Sequence, residues 1–401
     1  MSQVITLGCR LNHAESDTIA RRLGADDDLV VINSCAVTQE AVRNTRQAIR
    51  RARRNRPEAR IIVTGCAADV DRASFEAMPE VARVVCNANK LTPNLYPSTE
   101  RSLGSGLAHE FVSSTSRTRA FVAVQNGCDH RCTFCIIPYG RGPSRSMPAG
   151  LVVDGIKRLV GNGCAEIVLT GVDVTSYGPD LPGGPTLGSL VERILRHVPD
   201  LKRLRLSSLD SVEIDDRLHD IITGAPRFMP HLHMSFQSGD DMVLKRMKRR
   251  HSRAQAIETV QRIKAARPEV AIGADLIAGF PTETDEMHAN SLALIEACDI
   301  VHAHIFPYSP RPGTPAARMP QVNGAAIKAR ASALRDAAAR RRTAWLQSLV
   351  GTRQRVLWER GGLGHTEAFA PVRLQSSSGT GGLTDVNITG VDNIVLTGVP
   401  A

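Results

Sequence analysis

The sequence predicts an α/β protein in three parts: an N-terminal domain on a parallel sheet, a central partial (βα)6 barrel, and a small C-terminal β-barrel. Three observations lead there. Apolar strand-like runs alternate with helical stretches through the first ninety residues. The same strand-then-helix unit then recurs six times. Short strand-like runs broken by glycine and serine fill the tail. The expected divisions are 1–97 for the first domain, 98–117 for a linker, 118–345 for the barrel and 346–401 for the tail.

In the first domain, strands are expected at 4–7, 29–32 and 60–63, with helices over 14–23, 39–55 and 73–77. Each strand is followed at once by a cysteine, in Gly8-Cys9, Ser34-Cys35 and Gly65-Cys66. Strands of a parallel sheet end on one edge, where ligands bind, and neighbouring tips lie about 5 Å apart. Cys9, Cys35 and Cys66 would therefore converge. A lone cysteine is often just a small buried residue. Three at equivalent strand ends point instead to a metal cluster. Cys86 follows the apolar run 81–85 without the preceding Gly or Ser, and is read as core.

The linker is rich in Ser, Thr, Gly and Pro. The six barrel strands are expected at 121–124, 166–169, 204–206, 232–236, 272–277 and 301–306, with helices such as 187–196, 241–247 and 253–266 between them. Function in such a barrel sits at the C-terminal strand ends. Polar and glycine-rich strings fall there: Thr170-Gly171, Ser207-Ser208, Gln237-Ser238-Gly239, and the loops 279–284 and 307–314. Thr170, Gly171, Ser207 and Gln237 read as parts of a cofactor cradle. Cys164 and Cys298 sit in apolar surroundings and read as core. A helix is expected over 325–349, then strands near 353–358, 365–374 and 394–397.

The first barrel strand runs into Gly127-Cys128-Asp129-His130-Arg131-Cys132-Thr133-Phe134-Cys135. Cys128, Cys132 and Cys135 form a Cys-x3-Cys-x2-Cys run. Three thiolates can hold a [4Fe-4S] cluster and leave one iron open to a small chelating molecule. That is the pattern of S-adenosylmethionine (SAM) radical chemistry. The competing reading is a zinc knuckle with His130 as fourth ligand.

Composition narrows the partners. There is no basic-then-apolar N-terminal signal and no apolar run long enough to span a bilayer, so a cytoplasmic location without membrane contact is expected. Nine cysteines then imply metal or redox work rather than disulfides. Net charge is +10, and the excess is clustered. Arg43, Arg46, Arg50, Arg51, Arg53, Arg54 and Arg56 crowd one helix. Lys245, Arg246, Lys248, Arg249, Arg250 and Arg253 form a second cluster, and Lys328, Arg330, Arg335, Arg340, Arg341 and Arg342 a third. These are either solvated helix faces or a surface for a polyanion, with RNA or DNA the natural candidate.

Several strings together resemble one family. Thr6-Leu7-Gly8-Cys9-Arg10-Leu11-Asn12, Asn33-Ser34-Cys35-Ala36-Val37-Thr38 and Thr64-Gly65-Cys66 look like the three N-terminal cysteine blocks of the methylthiotransferases. Gln125-Asn126-Gly127-Cys128 through Cys135-Ile136-Ile137-Pro138-Tyr139-Gly140-Arg141-Gly142 looks like their radical SAM loop, and Ser235 to Gly239 and Phe306 to Thr314 match as well. The tail resembles their TRAM domain, a small RNA-binding barrel, only weakly. The resemblance implies two [4Fe-4S] clusters: a radical cluster on Cys128, Cys132 and Cys135 with SAM, and an auxiliary, sulfur-presenting cluster on Cys9, Cys35 and Cys66. It implies replacement of a C–H by a C–S–CH3 group, with an electron donor such as flavodoxin or ferredoxin and a sulfur source as further partners.

Of the family's branches, two act on adenosine 37 in the anticodon loop of tRNA and one on a ribosomal-protein aspartate. The Thr6 to Asn12 and Gln125 to Asp129 strings are most similar to the branch acting on N6-threonylcarbamoyladenosine. The isopentenyl branch, the protein-substrate branch and a non-catalytic iron–sulfur RNA-binding protein are the alternatives. A base must be unstacked to reach a barrel mouth, which suits a loop better than a duplex. Phe134, Tyr139, Tyr177 and Tyr308 stand near strand ends, either to stack on a base or simply to pack. Two features depart from the family pattern. Only 25 residues separate Cys9 from Cys35, so a peripheral strand is expected to be missing. The charges of the tail nearly cancel: Arg353, Arg355, Arg360 and Arg373 against Glu359, Glu367, Asp385 and Asp392.

Overall fold

The computed structural model describes residues 2–23, 28–92, 95–96, 118–359, 362–374 and 382–401. The linker expected at 98–117 lies outside them, as does Arg360. No helix among the described residues is long and apolar enough to cross a membrane.

Among the described residues the N-terminal sheet has four parallel strands in chain order, Gln3–Thr6, Leu29–Ser34, Arg60–Gly65 and Arg83–Val84. The second strand is buried along its whole length, so its residues alternate between two apolar layers. Val30 and Ile32 pack with Ile49 and Ala52 of the helix Gln39–Asn55 on one face. Leu29 and Val31 pack with Ile19 of the helix Arg10–Arg22 on the other. Crossovers that step the same way along a parallel sheet normally share one face, because they are right-handed. Two faces are covered here. That is the layout of a doubly wound sheet in which, among the described residues, no strand lies beyond Gln3–Thr6 on that edge, in keeping with the short Cys9–Cys35 spacing. The fourth strand comes from the 81–85 run that the sequence reading took only as core around Cys86. The helix Gln39–Asn55 starts where Thr38 accepts the Ala41 N–H at 3.0 Å, and it turns its arginines outward.

The barrel strands are Arg119–Ala123, Glu166–Thr170 and Arg203–Leu206 in one parallel sheet, and Ser208–Leu209, His231–Gln237, Ala271–Ala278 and Ile300–Pro307 in the next. The third strand is interrupted only at Ser207, whose N–H still reaches Leu169 O at 2.9 Å. The result is an open arc of six strands among the described residues. Side chains alternate. One face of the arc (Val122, Ile167, Leu204, Leu232, Ile272) packs on the helices, with Ala331 and Leu334 of the long helix Gly324–Ser348 closing the layer. The other face lines the bore and is polar or aromatic: Arg119, Phe121, Glu166, Arg203, Arg205, His231, His233, Asp275, His302 and His304.

The tail closes into a barrel of Arg353–Trp358, Leu363–His365, Pro371–Leu374, Val395–Pro400 and Gly382–Asp392. Two details differ from the sequence reading. The run 365–374 is two strands broken by a turn at Phe369, whose φ is +70°. The long strand Gly382–Asp392 was missed, because the glycine- and serine-rich string before it reads as a breaker.

That Phe369 turn fits the lower end of the central barrel. His365 stacks on its ring at 4.5 Å, with Arg119 and Arg205 at 5.0 and 5.1 Å. Arg203 and Arg205 donate to Arg355 O and Thr366 O at 2.6 and 3.0 Å. Three guanidiniums share one buried carboxylate, Glu166: Arg119 in direct contact, Arg205 at 3.0 Å and Arg203 at 3.8 Å. Burial alone would raise the Glu166 pKa, but the charges of Arg205 and Arg119 hold it below its ordinary value. Its stabilising effect is therefore intact above the usual carboxylate range and is lost as pH falls through the depressed value. Replacement Glu166→Gln leaves buried cations uncompensated. It is expected to cost on the order of 3–5 kcal/mol at neutral pH. The urea midpoint followed by fluorescence of Trp345 and Trp358, which flank this seam, checks it; an unchanged midpoint would remove Glu166 from this role.

Candidate metal centres and barrel mouth

The sharp loop after the first barrel strand is set by local chemistry. A short hairpin, Gln125–Asn126 against Arg145–Ser146, closes it at the base. Gly127 has φ +75°, and a Cβ there would lie 1.8 Å from Pro143 O, so only glycine fits. Gln125 Oε1 accepts the N–H groups of Val172 and Asp173 at 3.0 and 2.9 Å, fixing the next strand's loop beside it. Thr133 donates to Met247 O and Arg246 O at 3.1 and 2.8 Å, anchoring the far side.

Within this frame Cys128, Cys132 and Cys135 stand half-buried and close enough to influence one another. Burial pushes the Cys128 thiol up to about 12 and Cys135 to about 11. Arg249 sends Nη1 to Cys132 Sγ at 3.8 Å, while its Nη2 holds Asp210 at 3.0 Å and Ser235 O at 2.8 Å. His130 Nε2 is 2.8 Å from Asp173 and 3.7 Å from Glu213. Hydrogen bonds to Asp173 and then Glu213 raise its pKa to about 10. His130 thus groups with Asp173 and Glu213 rather than with the three thiols, which is not the arrangement of a zinc knuckle.

The N-terminal cysteines are placed by equivalent turns. Register aligns Thr6 with Asn33 and Asn33 with Thr64, so all three strands end on one edge. Gly8 has φ +96°, and a Cβ on it would lie 2.7 Å from Cys35 Sγ. Gly65 has φ +93°, and its Cβ would strike Ser34 O at 2.4 Å. Ser34 Oγ donates to Thr64 O at 2.6 Å and accepts the Ala68 N–H at 3.1 Å, joining two strand tips. Cys9 is exposed; Cys35 and Cys66 are buried. Burial, with Cys66 and Cys9 nearby, pushes the Cys35 thiol up to about 11.

One network joins the two groups. Gly140 sits so close to Cys66 that a Cβ would meet Cys66 O at 3.0 Å. Asn87 donates to Gly140 O at 2.7 Å. Arg141, from the end of the cysteine loop, is buried among N-terminal side chains. Its Nε donates to Cys66 Sγ at 3.1 Å, and its terminal nitrogens make paired bonds to Glu15 at 2.8 and 3.0 Å. They also reach Asn126 and Asn12 at 2.7 and 2.6 Å. Lys90, also buried, binds the same carboxylate. Burial alone would raise the Glu15 pKa; Arg141 and then Lys90 hold it down at about 2. Burial would lower that of Arg141, but Cys66 and Glu15 keep it above the ordinary guanidinium value. A cleft of about 520 Å³ opens beside this network, lined by Lys90, Asn126, Tyr139, Arg141 and Arg145; it includes none of the six cysteines.

Thr170, Gly171, Ser207 and Gln237 lie at the ends of the second, third and fourth barrel strands, on the edge that carries the cysteine loop. Gly171 packs on Gln125, where a Cβ would fall 2.8 Å from Oε1. Gln237 takes φ +67° at a break in register. The aromatics divide. Phe134 and Tyr308 pack edge-on against Phe280 at 6.5 and 5.6 Å, and buried Tyr177 donates to Met147 O at 2.6 Å. Tyr139 is 60% exposed and remains available. Cys86 is half-buried beside Arg72 Nη1 at 2.8 Å, not core; Cys164 and Cys298 are core. In the second basic cluster, Arg249 and Arg250 serve Asp210 and Glu213, so that cluster belongs partly to the site. Sequence reading missed Glu15, Lys90 and Asn87 entirely. Arg141 and Asn12 lay inside quoted strings without a role, and Arg249 was read only as part of a basic cluster.

The fold and the paired cysteine groups define a radical SAM protein with a second cysteine-bearing domain. The description "Radical SAM superfamily" matches residues 122–295, and "Uncharacterized protein family UPF0004" matches 2–87. Threonylcarbamoyladenosine tRNA methylthiotransferase MtaB of Rickettsia prowazekii is 47% identical over 97% of this chain and 95% of its own. A tRNA-2-methylthio-N(6)-dimethylallyladenosine synthase of Paracoccus denitrificans is 33% identical over 89% of this chain and 85% of its own. The radical S-adenosylmethionine methyltransferase TsrM of Kitasatospora setae shares the fold, with TM-score 0.51 at 15% identity, over 76% of this chain and 66% of that one. The chain belongs to the methylthiotransferase family of radical SAM enzymes.

Replacement Arg141→Met removes the N–H aimed at Cys66 and half the neutralisation of Glu15. Hydrogen bonds from a cation to a cluster sulfur raise its potential. The variant is therefore expected to hold less iron, or to show one of its clusters reduced at a lower potential while the other is unmoved. Iron analysis with a redox titration followed by electron paramagnetic resonance checks this; wild-type iron and potentials would contradict it.

Proposed function

We propose that this protein is a tRNA methylthiotransferase that converts N6-threonylcarbamoyladenosine at position 37 to its 2-methylthio derivative. The observation that carries the reading is the meeting of two cysteine groups, from two domains, across the buried Gly140-Arg141 segment. The 47% identity to a threonylcarbamoyladenosine enzyme, against 33% to a dimethylallyladenosine enzyme, favours that substrate branch.

Cys128, Cys132 and Cys135 would hold the SAM-binding [4Fe-4S] cluster, and Cys9, Cys35 and Cys66 the auxiliary one. When bound, the first cluster would supply the electron that cleaves SAM to the radical taking hydrogen from C2 of the base, the second the sulfur that replaces it, and a further SAM the methyl group on that sulfur. The protein's own part is placement. Arg249 orients Cys132 against the fourth strand, and Arg141 ties the cysteine loop to Cys66. Among the described residues the side chains of Thr170, Ser207 and Gln237 make no hydrogen bond, which leaves their polar atoms for SAM. Exposed Tyr139 is placed to stack on a base. The outward arginines of Gln39–Asn55 suit the RNA backbone, while the near-neutral tail grips it weakly. The work belongs in the cytoplasm, with an electron donor such as flavodoxin or ferredoxin and a separate sulfur source.

Mass analysis of tRNA nucleosides from a strain lacking this gene tests the reading. Loss of 2-methylthio-N6-threonylcarbamoyladenosine is expected, restored by wild type but not by Cys9→Ala or Cys128→Ala. Loss of the dimethylallyl derivative instead would move the protein to the sister branch. No change in either nucleoside would refute a tRNA substrate.

A further inference from the structure

Among the described residues the charges of the central bore sit in direct ion pairs or hydrogen bonds, with one exception. Arg119, Arg203 and Arg205 are spent on Glu166, Glu359, Glu367 and tail carbonyls. Asp275 is spent on His233 Nε2 at 2.8 Å and His304 Nδ1 at 3.1 Å. Arg10 enters the same space from the N-terminal domain. Its guanidinium lies over Phe121 at 5.8 Å and Phe369 at 5.9 Å. Among the described residues no carboxylate or carbonyl comes within hydrogen-bonding distance of it. A half-buried guanidinium held against two rings is desolvated; Glu166 and Asp275 act on it only from a distance, and it makes no direct ion pair. The space is open to a ligand, since His304 is 61% and Asp275 20% exposed.

Position supplies the rest. Arg10 directly follows Cys9, so its side chain starts beside the auxiliary cysteine group. C2 and the N6 substituent of adenine branch from the same six-membered ring, on either side of N1. A site that presents C2 to the two cysteine groups must therefore house the N6 arm close by. A threonylcarbamoyl arm ends in a carboxylate, which is costly to bury without a cation. A planar guanidinium meets a carboxylate through two parallel bonds.

We propose that Arg10 is the specificity-determining residue that binds the threonyl carboxylate of the substrate's N6 arm in the barrel bore. This rests on the functional reading above. Arg10 thus selects substrate by charge: the acid arm pairs with it directly, whereas a purely apolar arm desolvates it further without a direct ion pair.

The test is equilibrium binding of labelled anticodon stem-loops to the reconstituted holoenzyme by fluorescence anisotropy. Three stem-loops are compared: threonylcarbamoyl with a free carboxylate, the same arm capped as its methylamide, and unmodified adenosine. Wild type is expected to prefer the acid over the methylamide by roughly tenfold or more. Arg10→Gln is expected to bind both alike while matching wild type on unmodified RNA, and Arg10→Lys to keep part of the preference. Equal binding of acid and methylamide by wild type would overturn the inference without any variant. So would an undiminished preference in Arg10→Gln. Methylthiolation of the acid stem-loop by wild type is scored in parallel. Its absence would sink the functional reading, whereas turnover without a carboxylate preference would sink this inference alone.

Discussion

The arrangement depends on one buried ion cluster, Arg141 and Lys90 on Glu15. Two cysteine groups on separate domains are useful to each other only if the domains hold one register. An apolar seam would let them slide, because such contacts are non-directional. A guanidinium with paired bonds to one carboxylate, and further bonds to two asparagines and a thiol, has a single geometry. Taking these charges out of water is expensive, and the return is orientation more than stability. The last barrel loop adds a second tether, where Gln39 Nε2 donates to Pro310 O at 3.0 Å.

The lower end of the barrel repeats the strategy with different parts. Glu166 gathers three arginines, which in turn hold the tail's backbone, and Phe369 fills the space between them. The tail barrel is therefore a floor of the bore as well as a domain of its own. This division leaves the middle of the bore, between Phe369 below and the cysteine groups above, as the space that the proposal for Arg10 assigns to a base and its N6 arm. The polar lining there follows from strand alternation alone: residues facing the helices are apolar, and their neighbours face inward.

The fold was legible because its signals are local. Six strand-and-helix units and three strand-then-cysteine repeats can be read from short windows, and all six cysteines sit where those windows place them. The docking network was not legible, because Arg141 and Glu15 are 126 residues apart and nothing in either segment names the other. The same limit hid Arg249 and Arg250: as sequence they are a basic run, and only the fold brings Asp210 and Glu213 to them. Turn chemistry explains the errors in the tail, where a strand begins directly after a string of Ser and Gly. Of four aromatics near strand ends, three are packed, since position along a strand says little about whether a ring faces the mouth or a neighbouring side chain.

The central claim is that the two cysteine groups hold clusters close enough to act on one base. Electron paramagnetic resonance of the fully reduced, reconstituted protein tests it most directly. Two reduced clusters facing each other across Gly140 and Arg141 are expected to give a spectrum broadened by their magnetic interaction, and Cys66→Ala is expected to leave one simple signal. Two independent, unbroadened signals from the wild-type protein would contradict the account.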